Sequence, residues 1–543
     1  RHFAVEDALD QCARLAKRVR EDGPFACARP REDGARGERA EVEGVEVELR
    51  LRRGVGGKED LEPSVEPVAV AALRPDTSSD RRFAFEDGHV GAGLREAGGG
   101  GQAGEARAGD GDAHYRPPGP RRVAGRPRSS RCRSIDSHLS ALPNGSFGRS
   151  GNGFVRRAPS PVVNRTDAFS GLRCTDCEER ADTLYGRCPS CGGALDATYD
   201  LSAVDEAEVA AGLVDSLLPD ADAPTAGDGE TPLVAAPGMA DEVGVDALYL
   251  KDEGRNPTGS FVDRGMSLAV GAVEAAAGEG ADVEPLALAA AGDGAQSLAA
   301  YASRADLRSY GFVPARCPTP VKAMVNVHGG EMRVAGGRYP DAADGLDDLQ
   351  SHTSLQEFDA PFRHEGAKAI AHEVAADLGG TPGTVVVPVA TGELLVGVAK
   401  GFRERVELGL ADDVPGLLAV QPTGCAPVVE AHDAGAEAVE PTTHPDTIAG
   451  ELEIPDPAGG DLALRTLACH DGSAVAVGDP DLQEGAVAAT STTGLEVGLD
   501  GGAAAAAAWE RAGDLAGPVV LLNPNSGFKT SDVLRSHLMG QGV

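Results

Sequence analysis

Lysine is scarce in most of this chain. Residues 151–543 contain five: Lys251, Lys322, Lys368, Lys400 and Lys529. Aromatic residues make up 4% of the 543 residues, and no methionine precedes Met239. No run of about 18 apolar residues occurs, which excludes a membrane-spanning helix from the expectations; the longest apolar run, 503–509, is far too short. No charged-then-apolar leader opens the chain, so the cytoplasm is the expected compartment. The net charge is −35, and it is unevenly placed: residues 1–150 hold 26 basic and 25 acidic side chains, leaving 24 and 60 for the remainder. Binding nucleic-acid phosphates needs clustered basic residues, so no nucleic-acid partner is expected. An acidic, lysine-poor surface rich in alanine and glycine suits a halophilic protein kept hydrated at high salt, or serves ordinary solubility.

Residues 1–165 differ in character. Stretches such as GGGGQAGEARAGDGD (98–112) and RRVAGRPRSSRCRS (121–134) are rich in Arg, Gly and Pro with weak hydrophobic periodicity. Packing there would hardly offset the chain entropy of ordering. The segment is expected to be disordered, or a non-native extension upstream of a true start near Val162 or Val163. Next comes RCTDCEERADTLYGRCPSCGG, which carries Cys174, Cys177, Cys188 and Cys191 as two C-x2-C turns ten residues apart. Each turn can aim two thiolates at one metal, so residues 166–200 are expected to form a zinc ribbon around a structural Zn2+. With no ligand position left open, the expected role is structural, and a set of free or redox thiols is the alternative.

From 201 to 543, apolar runs alternate with helical patterns. DALYLKDE, PLALAAAGDG, GTVVVPVATGE and PVVLLNPNSG each resemble a buried strand ending in a loop. This is the pattern of an α/β domain with a mostly parallel sheet, whose ligands sit at the carboxyl ends of the strands. Asn256-Pro257-Thr258-Gly259-Ser260 forms a turn ahead of a helix starting near Phe261, and such a turn can hold an anion or serve only as a cap. Ala390-Thr391-Gly392-Glu393 stands before a helix in the same way. There the Glu393 carboxylate adds negative charge, and a solvent-facing side chain is one outcome.

Seven motifs occur in one order: GETPLVAAP (229–237), LYLKDEGRNPTGSFVDRG (248–265), AAGDGAQSLAAYASRA (290–305), VVVPVATGELLVGVAKGF (385–402), QPTGCAPVV (421–429), TIAGELEIPDPAGG (447–460) and LLNPNSGFK (521–529). Together they resemble threonine synthase, of the fold-type II pyridoxal-phosphate enzymes, in its archaeal type with an N-terminal zinc ribbon. The resemblance implies a tryptophan synthase beta-like fold of two subdomains, the smaller at roughly 275–375. It implies pyridoxal 5'-phosphate as cofactor, an amino-acid phosphate as substrate and a homodimer. The implied reaction turns O-phosphohomoserine and water into threonine and phosphate.

Carried over residue by residue, the resemblance places Val262 where the Schiff-base lysine belongs, and valine has no amine to offer. Cofactor contacts fall on Asp293, Thr391, Gly392, Glu393 and Ser526, with Ser526 against the pyridine nitrogen. Asp293 stands where relatives carry an asparagine; once ionised, it has no hydrogen to donate to the cofactor's phenolic oxygen. Substrate contacts fall on Lys251, Asn256, Thr258, Ser260 and Arg264. None of the twelve histidines is assigned a catalytic role. Two departures at the cofactor set a catalytically inactive ligand-binding or regulatory homologue beside the enzymatic reading, and cysteate synthesis or serine/threonine deamination stays open as another fold-type II activity.

Overall fold

The computed structural model describes residues 166–181, 186–219, 223–278 and 283–540, together with the backbone of three strands between 26 and 50. The expected disorder or non-native origin of residues 1–165 otherwise lies outside the described residues. The chain divides into two compact units, Arg1–Ala124 and Gly125–Val543. In the first, β1 (Ala26–Pro30), β2 (Gly37–Val42) and β3 (Val45–Arg50) pair, β2 antiparallel to both neighbours.

Among its described residues the second unit begins with a three-stranded antiparallel sheet, β4 (Phe169–Cys174), β5 (Arg180–Ala181) and β6 (Leu195–Tyr199), with β4 in the middle. Then follow β7 (Leu233–Ala235) and β8 (Leu248–Asp252), β9 (Leu286–Ala289), β10 (Ser309–Pro314), β11 (Glu331–Ala335) and β12 (Thr353–Ser354). The last strands are β13 (Thr384–Pro388), β14 (Gly416–Pro422), β15 (Ser473–Val477) and β16 (Val519–Asn523). Strands β9–β12 form a parallel sheet in the order β11-β10-β9-β12. The other six form a larger sheet, β15-β14-β13-β16-β8-β7, parallel except for the β7–β8 pair.

The sequence explains the layering. Every residue of β9, β13 and β16 is buried, as a parallel strand covered by helices on both faces requires. One side of the large sheet packs on the alanine run Ala503–Ala508 and the other on Ile370, Leu395, Val398 and Phe402. Five helices matter below: α1 (Val262–Gly278), α2 (Asp293–Arg304), α3 (Phe362–Leu378), α4 (Glu393–Glu407) and α5 (Leu499–Glu510). Helices α1 and α3 touch backbone to backbone. A Cβ on Gly265 would lie 1.9 Å from the Arg363 carbonyl oxygen, and one on Gly366 would lie 2.2 Å from the Arg264 carbonyl carbon. Among the described residues no helix is long and apolar enough to cross a membrane.

Candidate ligand site

The loops leaving the carboxyl ends of β8, β9, β13 and β16 meet around one cavity of about 70 Å³. Parallel strands present their ligand sites at this edge. Val262 is the first residue of α1 and forms part of the wall, buried with its isopropyl group among apolar neighbours. Its backbone N–H points to Ser260 Oγ at 3.4 Å.

Asp293 opens α2 and also lines the wall, with both carboxylate oxygens occupied. Oδ1 accepts from Lys529 Nζ at 2.7 Å and Oδ2 from Asn525 Nδ2 at 3.0 Å. Asn525 divides its amide between two acids, also donating to Asp500 Oδ2 at 2.9 Å. Glu451 closes the group, its carboxylate so near the preceding turn that a Cβ on Gly292 would meet Glu451 Oε1 at 2.4 Å. Burial, then the charges of Asp293 and Asp500, push the Glu451 carboxyl well above its usual range. Burial and the charge of Asp293 push Asp500 up to about 7, against the Asn525 hydrogen bond and Lys529.

At the start of α4, Gly392 has a φ of +94° and lies so close to Gly459 that a Cβ would come within 2.7 Å of its carbonyl oxygen. Only glycine fits there. Thr391 accepts from Gly459 N–H through its carbonyl at 2.8 Å. The Glu393 side chain turns inward rather than to solvent. It is 3% exposed and takes Arg363 in a bidentate grip, Nε to Oε1 at 3.0 Å and Nη2 to Oε2 at 2.9 Å. The same guanidinium pairs with Glu357 at 3.0 Å. Burial holds the Glu393 carboxyl up even beside Arg363. Two carboxylates thus share one guanidinium, because burying Glu393 unpaired would cost far more.

The remaining sequence-predicted residues are not brought into the wall. Lys251 is fully buried and donates to Thr231 O and to Glu373 Oε2, each at 2.6 Å. Arg264 is clamped between Glu253 and Glu373 by four hydrogen bonds of 2.6 to 2.9 Å. Asn256 donates to Glu253 Oε2 and accepts from Gly229 N–H. Thr258 donates twice to Asp263, through N–H and Oγ1. Ser260 pairs by a bridge with Asn525, and Ser526 caps the next turn, accepting from Phe528 N–H and donating to Glu496. The charges of segment 248–265 are therefore satisfied within it and by Glu373, with Val262 left facing the cavity.

The cysteines converge. Sγ–Sγ distances are 3.4 Å for Cys174–Cys191, 3.6 Å for Cys177–Cys188 and 3.4 Å for Cys177–Cys191. A tetrahedron with metal–sulfur bonds of 2.3 Å has edges of roughly 3.8 Å, close to these. The three-stranded sheet carrying them docks through Asp196, which accepts from Lys400 at 2.6 Å and faces His364 Nε2 at 2.9 Å. Tyr199 OH donates to Glu365 at 2.7 Å, and Lys368 stands 3.8 Å above the Tyr199 ring.

Sequence reading missed Arg363, Glu357, Glu451, Asp500 and Asn525. Glu451 and Asn525 lie inside the motifs 447–460 and 521–529 without a role being read there, and Arg363 takes its place through Glu393, thirty residues on. Asp500 had one cue, an acid directly before a buried alanine run.

Residues 224–524 match the family model of pyridoxal-phosphate dependent enzymes. Threonine synthase of Methanosarcina acetivorans is 31% identical over 326 residues, covering 57% of this chain and 79% of that protein. Threonine synthase of Methanocaldococcus jannaschii is 32% identical over 261 residues, covering 47% of this chain and 63% of that one. Among solved structures, a fungal L-serine ammonia-lyase from Rhizomucor miehei is 20% identical with a TM-score of 0.49, over 57% of this chain and 98% of that one. The chain belongs to the pyridoxal-phosphate-dependent enzyme family, as a homologue of the threonine synthases.

Proposed function

We propose that this chain is a threonine synthase-like protein that keeps the family's fold and ligand cleft but has lost the turnover of O-phosphohomoserine. The observation that carries the reading is Val262 in the cavity wall, with every lysine of residues 151–543 already held by a partner. Lys251 is spent on Glu373, Lys368 on Glu404, Lys400 on Asp196 of the cysteine-bearing sheet, Lys322 on the Ala315 carbonyl and Lys529 on Asp293. A Schiff base to the cofactor needs a free amine in reach of the aldehyde, and this cavity wall offers none.

The residues present do not fit pyridoxal 5'-phosphate in two further ways. A phosphate dianion at the start of α4 would face the Glu393 and Glu357 carboxylates, with Arg363 already committed to both. The Asp293 side chain, with both oxygens already accepting hydrogen bonds from Asn525 and Lys529, is an acceptor where the phenolic oxygen requires a donor. A ligand-binding or regulatory homologue agrees with these features better than a lyase of altered specificity does.

The four cysteines are read as a closed structural Zn2+ site, on the strength of their spacing and near-tetrahedral sulfurs. The acidic exterior, a homodimer and a cytoplasmic setting complete the proposal.

The test uses the full chain. After incubation with pyridoxal phosphate and reduction with borohydride, peptide mass mapping is expected to find no cofactor-modified lysine, and O-phosphohomoserine is expected to yield no threonine. A reduced adduct on any lysine, or threonine formation, overturns the reading. Val262→Lys is the companion variant: because Glu393, Glu357 and Asp293 also oppose the cofactor, it is expected to gain no adduct, and an adduct at position 262 would show that the missing amine alone limits attachment and overturn the misfit.

A further inference from the structure

The wall of the cavity is rich in acids and poor in cations. Five of its side chains are carboxylic acids: Asp293, Glu357, Glu393, Glu451 and Asp500. The cations in contact with them are Arg363, shared between Glu357 and Glu393, and Lys529, held by Asp293. Glu451 and Asp500 are left with no basic partner among the described residues. Asp500 is 6% exposed and lines the cavity; Oδ2 accepts from Asn525, while Oδ1 has no hydrogen-bond partner among the described residues. A largely buried carboxyl with a single donor and no cation beside it is costly, and a ligand that brings a donor and a positive charge removes the cost.

We propose that this cavity binds a small organic cation bearing primary ammonium groups, of about the size of a four-carbon diamine. The inference rests on the reading above that the pocket no longer holds the family's phosphorylated cofactor.

Three features of the site select this class. The first is dispersion. The clusters among the described residues whose ligand atoms all lie within 4.8 Å of one another are the four cysteines and Asp196–His364–Glu365. The acids of the cavity are thus too spread for one metal ion, and an extended cation with several N–H donors suits them. The second is size. A water needs roughly 10–15 Å³ by this measure of volume, so about 70 Å³ gives room for roughly half a dozen small groups. The third is the apolar part of the wall, Phe261, Val262, Leu394, Leu452 and Ile454, which can cover a methylene chain.

The experiment is calorimetric titration of the full chain with 1,4-diaminobutane in an amine-free buffer, at sodium chloride concentrations that hold ionic strength constant. Inorganic phosphate and pyridoxal phosphate are titrated in parallel. Saturable binding of the diamine and none of either anion is expected. Asp500→Asn, checked for folding by circular dichroism, is expected to weaken diamine binding at least tenfold. Asp433→Asn removes the same unit of charge from an exposed site and is expected to leave binding unchanged. The inference is overturned if phosphate or pyridoxal phosphate binds and the diamine does not, or if the two variants behave alike, which marks nonspecific attraction. A borohydride-stable cofactor adduct sinks the parent reading whatever the diamine does. Absence of both adduct and diamine binding sinks this inference alone.

Discussion

Replacing Asp500 by asparagine removes an acid that the fold holds against its preference. Burial and Asp293 raise its pKa from 3.8 to about 7. An acid with a raised pKa in the folded state binds more protons there than in the unfolded chain, so stability falls as pH climbs between the two values. Each unit corresponds to about 1.36 kcal/mol. The full shift therefore amounts to about 4 kcal/mol of destabilisation above pH 7, of which about 2 kcal/mol accrues between pH 5.5 and 8. Asparagine keeps an oxygen to accept from Asn525 Nδ2 and carries no charge. Asp500→Asn is thus expected to be more stable than the parent at pH 8 by a few kcal/mol, and its stability to fall less between pH 5.5 and 8 by about 2 kcal/mol. Urea denaturation at the two pH values measures this, followed by fluorescence of Trp509, which lies on α5 with Asp500. Equal m-values certify a like-for-like comparison. A variant with the parent's pH slope, or one weaker than the parent at pH 8, refutes the account of Asp500 as a strained carboxyl.

Three other outcomes are expected. Glu373→Ala leaves the buried Lys251 without its carboxylate and Arg264 with only Glu253, and should cost about 3–5 kcal/mol in denaturant midpoint measurements; a loss under about 1 kcal/mol argues that water or a neighbour replaces it. Gly265→Ala drives a methyl into the Arg363 carbonyl 1.9 Å away and should cost about 3 kcal/mol or more, since backbone rather than a side-chain tip must move. An unchanged melting temperature would contradict the close helix crossing. Metal analysis of the full chain should find about one zinc per chain, lost in Cys177→Ser; equal metal content in both proteins tells against the four-sulfur site.

The skeleton of the site was legible because its signals are local. Apolar runs such as TVVVP and VVLLN fit doubly covered parallel strands, and the turns after them were expected to meet at one edge. The cysteine spacing was legible for the same reason. Side-chain direction was not. Glu393 turns inward because Arg363, thirty residues earlier, waits for it, and Arg264 is withdrawn from the cavity by Glu373, over a hundred residues later. Such pairings depend on which helices are neighbours, which the local sequence pattern does not specify. The acid at 293 was visible as a departure, but its meaning changed once Asp500 and Glu451 stood beside it.

The contact of α1 with α3 through Gly265 and Gly366 has a mechanical consequence. Where two helices meet atom to atom at their backbones, neither can slide or roll to absorb a bulkier neighbour. Val262 is the first residue of one and Arg363 the second residue of the other. The two are mounted on what amounts to a single rigid plate. A lysine engineered at position 262 could not be sheltered by retreat of its helix and would have to spend its length in the cavity, against whatever already occupies that space.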